Sequence, residues 1–445
     1  MPKTFRSNFL SLLVVLSTGS ALMAAELPAA VTNADYRPVD AAQAALGRFL
    51  FYDKILSGNQ NIACATCHHH DHASSDGLSL GVGEGGVGLG PKRVFGEPGI
   101  TQNRRIPRHS PTLFNLGARE FTRLFHDGRV FEDPTDATGF NSPAEEFLPE
   151  GLTTVTAVQA LFPLLSEVEM AGQTSENPVA RAILRRQDYA WNILVERIQA
   201  INEYLPLFRD AFADIKKATD ISITHIANAI GAFVNSEWRA DSSPFDAYLR
   251  GDEAAFGVIE KRGLELFYGK GGCAACHSGK FQTDHEFHAI AMPQFGPGRT
   301  RMFDPVVRDR GRINETDERE DSHKFRTPSL RNVAISAPYG HTGAYRTLEA
   351  VVRHHLNPVA AFRTYDPGQT ILPPEARLAK VDFLVFENTV EQASIIAANE
   401  LEPVDLTDRE VTDLIAFLRT LTDGKGLKGR LGAPQNVPSG LPLDE

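Results

Sequence analysis

The sequence predicts a mostly α-helical protein of two domains related by internal duplication, and three observations carry that reading. Two pentapeptides, Cys64-Ala65-Thr66-Cys67-His68 and Cys273-Ala274-Ala275-Cys276-His277, have C-x-x-C-H spacing and use all four cysteines of the chain. Each is preceded by one pattern, G-x-x-L-F-Y, as Gly47-Arg48-Phe49-Leu50-Phe51-Tyr52 and Gly263-Leu264-Glu265-Leu266-Phe267-Tyr268. Strand signals are sparse, while apolar residues recur at helical spacing.

C-x-x-C-H is the spacing that attaches c-type haem: two thiols on one helical turn reach the two vinyl groups, and the adjacent imidazole is aimed at the iron. The competing uses of such cysteines are a structural zinc site or a redox pair. Two copies with no spare cysteine point instead to two covalent haems, held by Cys64 and Cys67 with His68, and by Cys273 and Cys276 with His277. In each half the G-x-x-L-F-Y segment reads as a helix packing its Leu and Phe over a haem face.

The elements follow in chain order. Residues 1–25 carry Lys3 and Arg6, an apolar run from Phe9 to Leu16 and small residues ending at Ala24-Ala25, the layout of a cleaved export signal. The apolar run is too short to span a bilayer, so the mature chain is expected to be soluble and periplasmic, with no stable membrane insertion. The 445-residue chain has a formal net charge of -11. Losing Lys3 and Arg6 makes this about -13, which argues against nucleic acid and suits a small basic electron-transfer partner. The first haem domain is expected over residues 26–241, with a helix from Ile223 to Phe233 and a break at Ser242-Ser243-Pro244. The second is expected over 242–425, and 426–445 form a tail. Near its end, Thr407-Asp408-Arg409-Glu410 reads as a capping box before a helix that buries Val411, Leu414, Ile415, Leu418 and Leu421. Residues 77–99 are glycine-rich, and Gly81-Val82-Gly83-Glu84-Gly85-Gly86 matches G-x-G-x-x-G without a strand before it, so a loop at the haem edge is the better reading. The run Arg308 to Asp321, dense in both charges, reads as a solvated loop.

With these residues in hand the chain resembles the bacterial di-haem cytochrome c peroxidases and their relatives of the methylamine dehydrogenase maturation type. Beyond the haem motifs the resemblance rests on Ser110-Pro111-Thr112-Leu113-Phe114-Asn115, Asp127-Gly128-Arg129, Glu169-Met170, Ser243-Pro244-Phe245-Asp246, and Thr327-Pro328-Ser329-Leu330-Arg331-Asn332 with Ala337-Pro338-Tyr339. It implies peroxide reduction at the N-terminal haem, with electrons delivered through the C-terminal haem by a mono-haem cytochrome c or a cupredoxin; a homodimer is left open. The family's distal glutamate falls on Glu169 and its distal glutamine on Gln159, with Glu167 the nearest rival. A glutamate there takes the first proton of H2O2 and returns it to the leaving oxygen.

Three departures from the family pattern carry information. Where the peroxidases have a blocking histidine, sixteen residues beyond His68, this chain has Glu84; His69, His70 and His72 are expected to lie exposed, and the N-terminal iron to stand open. The position of the sixth ligand of the C-terminal haem falls on His355, with His354, Met292 and Met302 as rivals. The tryptophan between the haems is replaced by His126, and neither Trp191 nor Trp238 is in that register. The relatives also hold calcium, at positions that map to His109, Ser336 and Pro338. Because calcium prefers oxygen and His109 stands where they have asparagine, that ion is left open. Two rival functions remain at this point: oxidation of a protein or organic substrate, as in the maturation enzymes, and a plain electron carrier with no substrate.

Overall fold

The computed structural model describes residues 26–96, 104–300 and 307–444. The expected signal at 1–25 and Met302 lie outside the described residues. Helices dominate, and the strands are two- or three-residue pieces in small antiparallel sheets.

The duplication appears as two equivalent helix crossings. The Ala41–Tyr52 helix packs across the Ile223–Glu237 helix, and the Val258–Tyr268 helix across the Asp408–Arg419 helix. Glycine opens both copies because the backbones touch there. A Cβ on Gly47 would lie 1.9 Å from the Ala229 carbonyl oxygen, and one on Gly263 would lie 2.0 Å from that of Asp413. Beside each contact an aromatic pair repeats, Phe51 on Phe233 at 5.3 Å and Phe267 on Phe417 at 5.1 Å between ring centres. Gly263→Ala must push the two helices apart against a carbonyl that cannot rotate away, and overpacking of this kind costs about 1–3 kcal/mol. The expected result is a lower denaturant midpoint with both haems still attached, and an unchanged midpoint would refute this account of the crossing.

The apolar residues form two main cores. One runs from Val31 to Ala240 and includes Phe281 and Val437; the other runs from Phe245 to Leu421 and includes Leu80. The expected helix at 223–233 continues to Glu237. The Thr407 hydroxyl accepts from the Glu410 amide at 3.3 Å and the Glu410 carboxylate accepts from the Thr407 amide at 2.8 Å, so the capping box forms as read. The stripe from Val411 to Leu421 is buried beneath it. Residues after 425 turn back over the first half: Ser439 donates to Asp53 at 2.6 Å, Asp444 pairs with Lys54 at 2.7 Å, and the Thr66 hydroxyl, inside the first C-x-x-C, donates to Asp444.

The charged run from Arg308 to Asp321 is exposed as expected only over residues 317–320, and its first part is drawn into the protein. Asp309 is 1% exposed and accepts a bidentate pair from Arg108, at 2.7 and 2.9 Å. Arg108 also donates to Asp127 at 2.7 Å, and Arg312 donates to the Asp127 carbonyl at 2.9 Å. The charges of the segment are matched on both halves of the molecule, since Arg312 also reaches Asp321 at 3.9 Å and Glu315 pairs with Arg299 at 2.5 Å. A second buried bidentate pair, Arg105 with Asp382 at 2.8 and 2.9 Å, fastens the same seam. Among the described residues no helix is long and apolar enough to cross a membrane.

Candidate functional site

The two haem motifs are built alike. Cys64 and Cys67 bracket one helical turn, Cys64–Cys67, and Cys273 begins the tighter turn Cys273–Ala275. No disulfide joins any of the four cysteines. In each motif the imidazole Nδ1 is engaged by a backbone carbonyl, of Ser74 for His68 at 2.9 Å and of Gln282 for His277 at 3.2 Å. Donation from Nδ1 leaves Nε2 as the lone-pair nitrogen, the arrangement a metal-bound histidine needs. Both acceptors sit in left-handed backbone, Ser74 at φ 55° and Gln282 at φ 49°, a conformation uncommon outside glycine and held here in both halves. Burial lowers the pKa of both imidazoles, that of His277 to about 4, so each is neutral at physiological pH as a ligand must be.

The surroundings of the two histidines differ. The ring of His355 faces that of His277, with centres 6.4 Å apart. Metal–imidazole bonds are about 2.0–2.1 Å, which puts the ring centres of two trans ligands about 6.3 Å apart. His355 Nδ1 is turned to the Val351 carbonyl at 2.8 Å, freeing its Nε2. The neighbouring His354 has both nitrogens occupied: it accepts from the Tyr345 hydroxyl at 2.7 Å and donates to the Ile290 carbonyl at 2.7 Å. Met292 is packed against Gly340. Among the described residues no aromatic or imidazole ring faces His68. Glu84, at the position of the family's blocking histidine, is 3% exposed and accepts from Asn59 at 2.7 Å and Asn61 at 2.6 Å. His69 and His70 are not exposed, with side chains 12% and 7% accessible, and His72 is half-buried. His70 turns inward because the Ala41–Tyr52 helix and the end of the Ile223–Glu237 helix offer it partners, described below.

Glu169 lies on a wide turn of π type, Glu167–Ala171, a form frequent at functional sites. Two glycines let backbones close on this turn: a Cβ on Gly58 would lie 1.8 Å from the Ala171 carbonyl oxygen, and one on Gly83, in the glycine-rich loop, 2.0 Å from that of Val168. Arg93 braces that loop through the carbonyls of Val82, Gly83 and Gly88 at 2.5–2.8 Å. The Glu169 carboxyl is raised by burial, with Arg129 and Arg299 pulling partly the other way, and its charge is felt at the Cys67 sulfur. Glu167 points out and pairs with Arg104 at 3.8 Å. Gln159 is half-buried in the Val155–Ala160 helix, and among the described residues no hydrogen bond joins it to Glu169.

His126 occupies the seam between the halves. Burial first, then the charge of Arg108 and the rings of His341 and His109, lower its pKa well below the usual value. The adjacent Asp127 gathers Arg108 at 2.7 Å, Arg129 at 3.0 Å and Arg299 at 3.1 Å, which outweigh its burial and keep it ionised. At the calcium positions, His109 Nδ1 donates to the Leu78 carbonyl at 2.7 Å and the Ser336 hydroxyl donates to the Val333 carbonyl at 3.1 Å, leaving Pro338 its carbonyl alone. These side chains do not present the set of oxygens calcium prefers.

The duplication reaches further than the haem motifs. Ser110-Pro111-Thr112-Leu113-Phe114-Asn115 and Thr327-Pro328-Ser329-Leu330-Arg331-Asn332 are repeat copies, each followed by a His-x-Gly at His126 and His341. Asn115 and Asn332 share left-handed backbone, at φ 62° and 63°. Asn115 accepts from the Ala240 amide and Asn332 from the Asp423 amide, each just past its half's second crossing helix. The signal was present as S/T-P-x-L-x-N, but the unequal gap to His-x-Gly hid the pairing.

This arrangement, two covalent haem sites on a duplicated helical frame, defines a di-haem c-type cytochrome, and comparison with known proteins gives the family. Residues 41–254 match the family model described as "Di-haem cytochrome c peroxidase". The chain is 30% identical to the methylamine utilization protein MauG of Methylorubrum extorquens over 88% of its own length and 82% of that protein. It is 29% identical to the cytochrome c551 peroxidase of Pseudomonas aeruginosa, covering 73% and 75% of the two chains. A solved structure titled as a MauG-like protein associated with microbial copper homeostasis superposes with a TM-score of 0.58 at 25% identity, covering 93% of this chain and 97% of that one. The chain belongs to the di-haem cytochrome c peroxidase family. It is an oxidoreductase with two c-type haems.

Proposed function

We propose that this protein reduces H2O2 to water at its N-terminal haem, in the periplasm, with electrons taken through the C-terminal haem from a small basic donor protein. The observation that carries the reading is the asymmetry of the two haem-motif histidines: the ring of His355 lies 6.4 Å from that of His277, so both would hold one haem iron, and among the described residues no ring so faces His68. A site with both axial positions filled suits electron transfer, and an open one suits chemistry. Haem held by Cys64, Cys67 and His68 supplies the iron coordination and the electrons with which the O–O bond is broken. Glu169 is the group proposed to move the proton, from the first oxygen of H2O2 to the leaving oxygen, so that two electrons and two protons convert one peroxide to two waters. Gln159 is proposed as a hydrogen-bond donor to the bound oxygen, and His126 as a polar bridge across the seam. The formal net charge of -11 supports a basic donor.

The reading is tested by steady-state turnover of H2O2 with a reduced small cytochrome as the only donor; absence of turnover would overturn it. The alternative, oxidation of a protein or organic substrate, is favoured by the pairing of His277 with His355, because imidazole in place of thioether lowers the haem potential. For the second site, low-temperature EPR of the oxidised protein is expected to carry a low-spin signal of two histidine ligands that disappears in His355→Ala and survives in His354→Ala. The opposite pattern would move the ligand by one residue.

A further inference from the structure

Tyr52 closes the first G-x-x-L-F-Y segment, three percent exposed, on the helix that packs beside the Cys64–Cys67 turn. Its hydroxyl is bonded to His70 Nδ1, and His70 Nε2 meets the Glu237 carboxylate at 2.8 Å. The directions in this chain are fixed by Glu237. That carboxylate is 1% exposed, has its pKa lowered below the usual value, and accepts from the backbone amides of Leu431 at 2.8 Å and Gly432 at 2.7 Å. It can only accept, so His70 Nε2–H donates to it; in the neutral ring Nδ1 is then the acceptor, and the Tyr52 O–H donates. Gly429, at φ +66°, leaves the room: a Cβ there would stand 2.0 Å from Glu237 Oε1 and 2.7 Å from His70 Nε2. Burial and the Glu237 charge hold the Tyr52 phenol well above its ordinary pKa, so it stays an O–H rather than a phenolate.

A buried phenol is hard to oxidise because the cation it would leave is strongly acidic and has nowhere to send its proton. Here a base is already bonded to that proton, and a carboxylate waits behind the base to stabilise the imidazolium. We propose that Tyr52 is a redox-active tyrosine that gives one electron to the N-terminal haem after peroxide has oxidised it. This rests on the reaction with H2O2 proposed above. The balance is complete: the Tyr52 O–H bond breaks, its proton forms an N–H bond at His70 Nδ1, and its electron reduces the oxidised haem centre by one equivalent. The products are a neutral tyrosyl radical and an imidazolium paired with Glu237; return of one electron from the donor restores the phenol, the proton going back from His70. Trp238, whose ring centre lies 4.9 Å from that of His70, is the competing site of oxidation, but its indole N–H has no acceptor among the described residues.

The test uses the full-length holoprotein, oxidised, mixed with H2O2 without donor and freeze-quenched for EPR while the haem absorbance is followed in parallel. The expected result is a free-radical signal that narrows when ring-deuterated tyrosine is incorporated, forms more slowly in D2O, and is lost in Tyr52→Phe with the haem still bleached by peroxide. A radical that survives Tyr52→Phe, one that is lost instead in Trp238→Phe, or a haem that reacts without any protein radical would overturn the proposal while leaving the peroxide reaction standing. A haem absorbance that peroxide leaves unchanged would remove both.

Discussion

Glu169→Gln is expected to keep both haem spectra and to lose at least about a hundredfold in the rate of reaction with H2O2, since general acid–base catalysis is typically worth about 10²- to 10⁴-fold. The substitution preserves the side chain's size on the Glu167–Ala171 turn and removes only its basicity. Glu167→Gln is the control: that side chain points outward to Arg104, and its rate should match the wild type. The pH dependence carries the same information. The carboxylate is the form that accepts a proton, and burial holds the Glu169 pKa above the usual glutamate value. The wild-type rate should therefore rise as pH increases through that raised pKa and then level off, and the limb should be missing in Glu169→Gln. Stopped-flow mixing of the oxidised proteins with peroxide measures both, and an unchanged rate in Glu169→Gln would remove the residue from the chemistry.

Arg108→Met is expected to be the most damaging single change at the seam. It leaves the Asp309 carboxylate buried without its bidentate partner and strips Asp127 of one of three guanidiniums. Breaking a buried pair by removing one member costs about 3–5 kcal/mol, most of it the penalty of the charge left behind. The wild-type Asp309 pKa is held down to about 2, by Arg108 against burial, so its stabilisation is complete above the ordinary aspartate range and fades as pH falls toward 2. In Arg108→Met burial is opposed by the charge of His341 and by the Gly311 amide at 3.0 Å, so that pKa rises from its wild-type value and acidification should cost the variant less stability than it costs the wild type. Denaturant midpoints across pH measure this. A variant with the wild-type midpoint at neutral pH would show that the pair carries no stability, and Arg108→Met/Asp309→Leu should recover part of the loss.

What could be read from the sequence was what neighbours in the chain decide. Thr407 and Glu410 cap one helix end, the four cysteines announce both haems by spacing alone, and Gly47 and Gly263 repeat in register because each meets a crossing backbone. What could not be read was decided by partners far away. Asp309 is buried because Arg108 stands 201 positions earlier, and His70 is drawn inward by Glu237, 167 positions later. Composition alone describes both segments as polar and solvated. The resemblance already placed the sixth ligand at His355 rather than His354, and what the sequence could not show is how the adjacent rings differ in the neighbours that use up their nitrogens.

The ion pairs at the seam have a consequence for the movement of charge. An electron crossing from one half to the other changes the field on both sides, and the crossing is slowed by every dipole that must swing round to follow it. Around Asp127 the polar groups cannot swing: three guanidiniums fix the carboxylate from different directions, Arg108 is fixed in turn by Asp309, and Arg312 holds the Asp127 carbonyl. Dipoles already set in place cost no reorganisation when the charge arrives. The contacts that fasten the two halves thereby make the space between them electrically stiff, and an electron routed across it would meet little accompanying motion of nuclei.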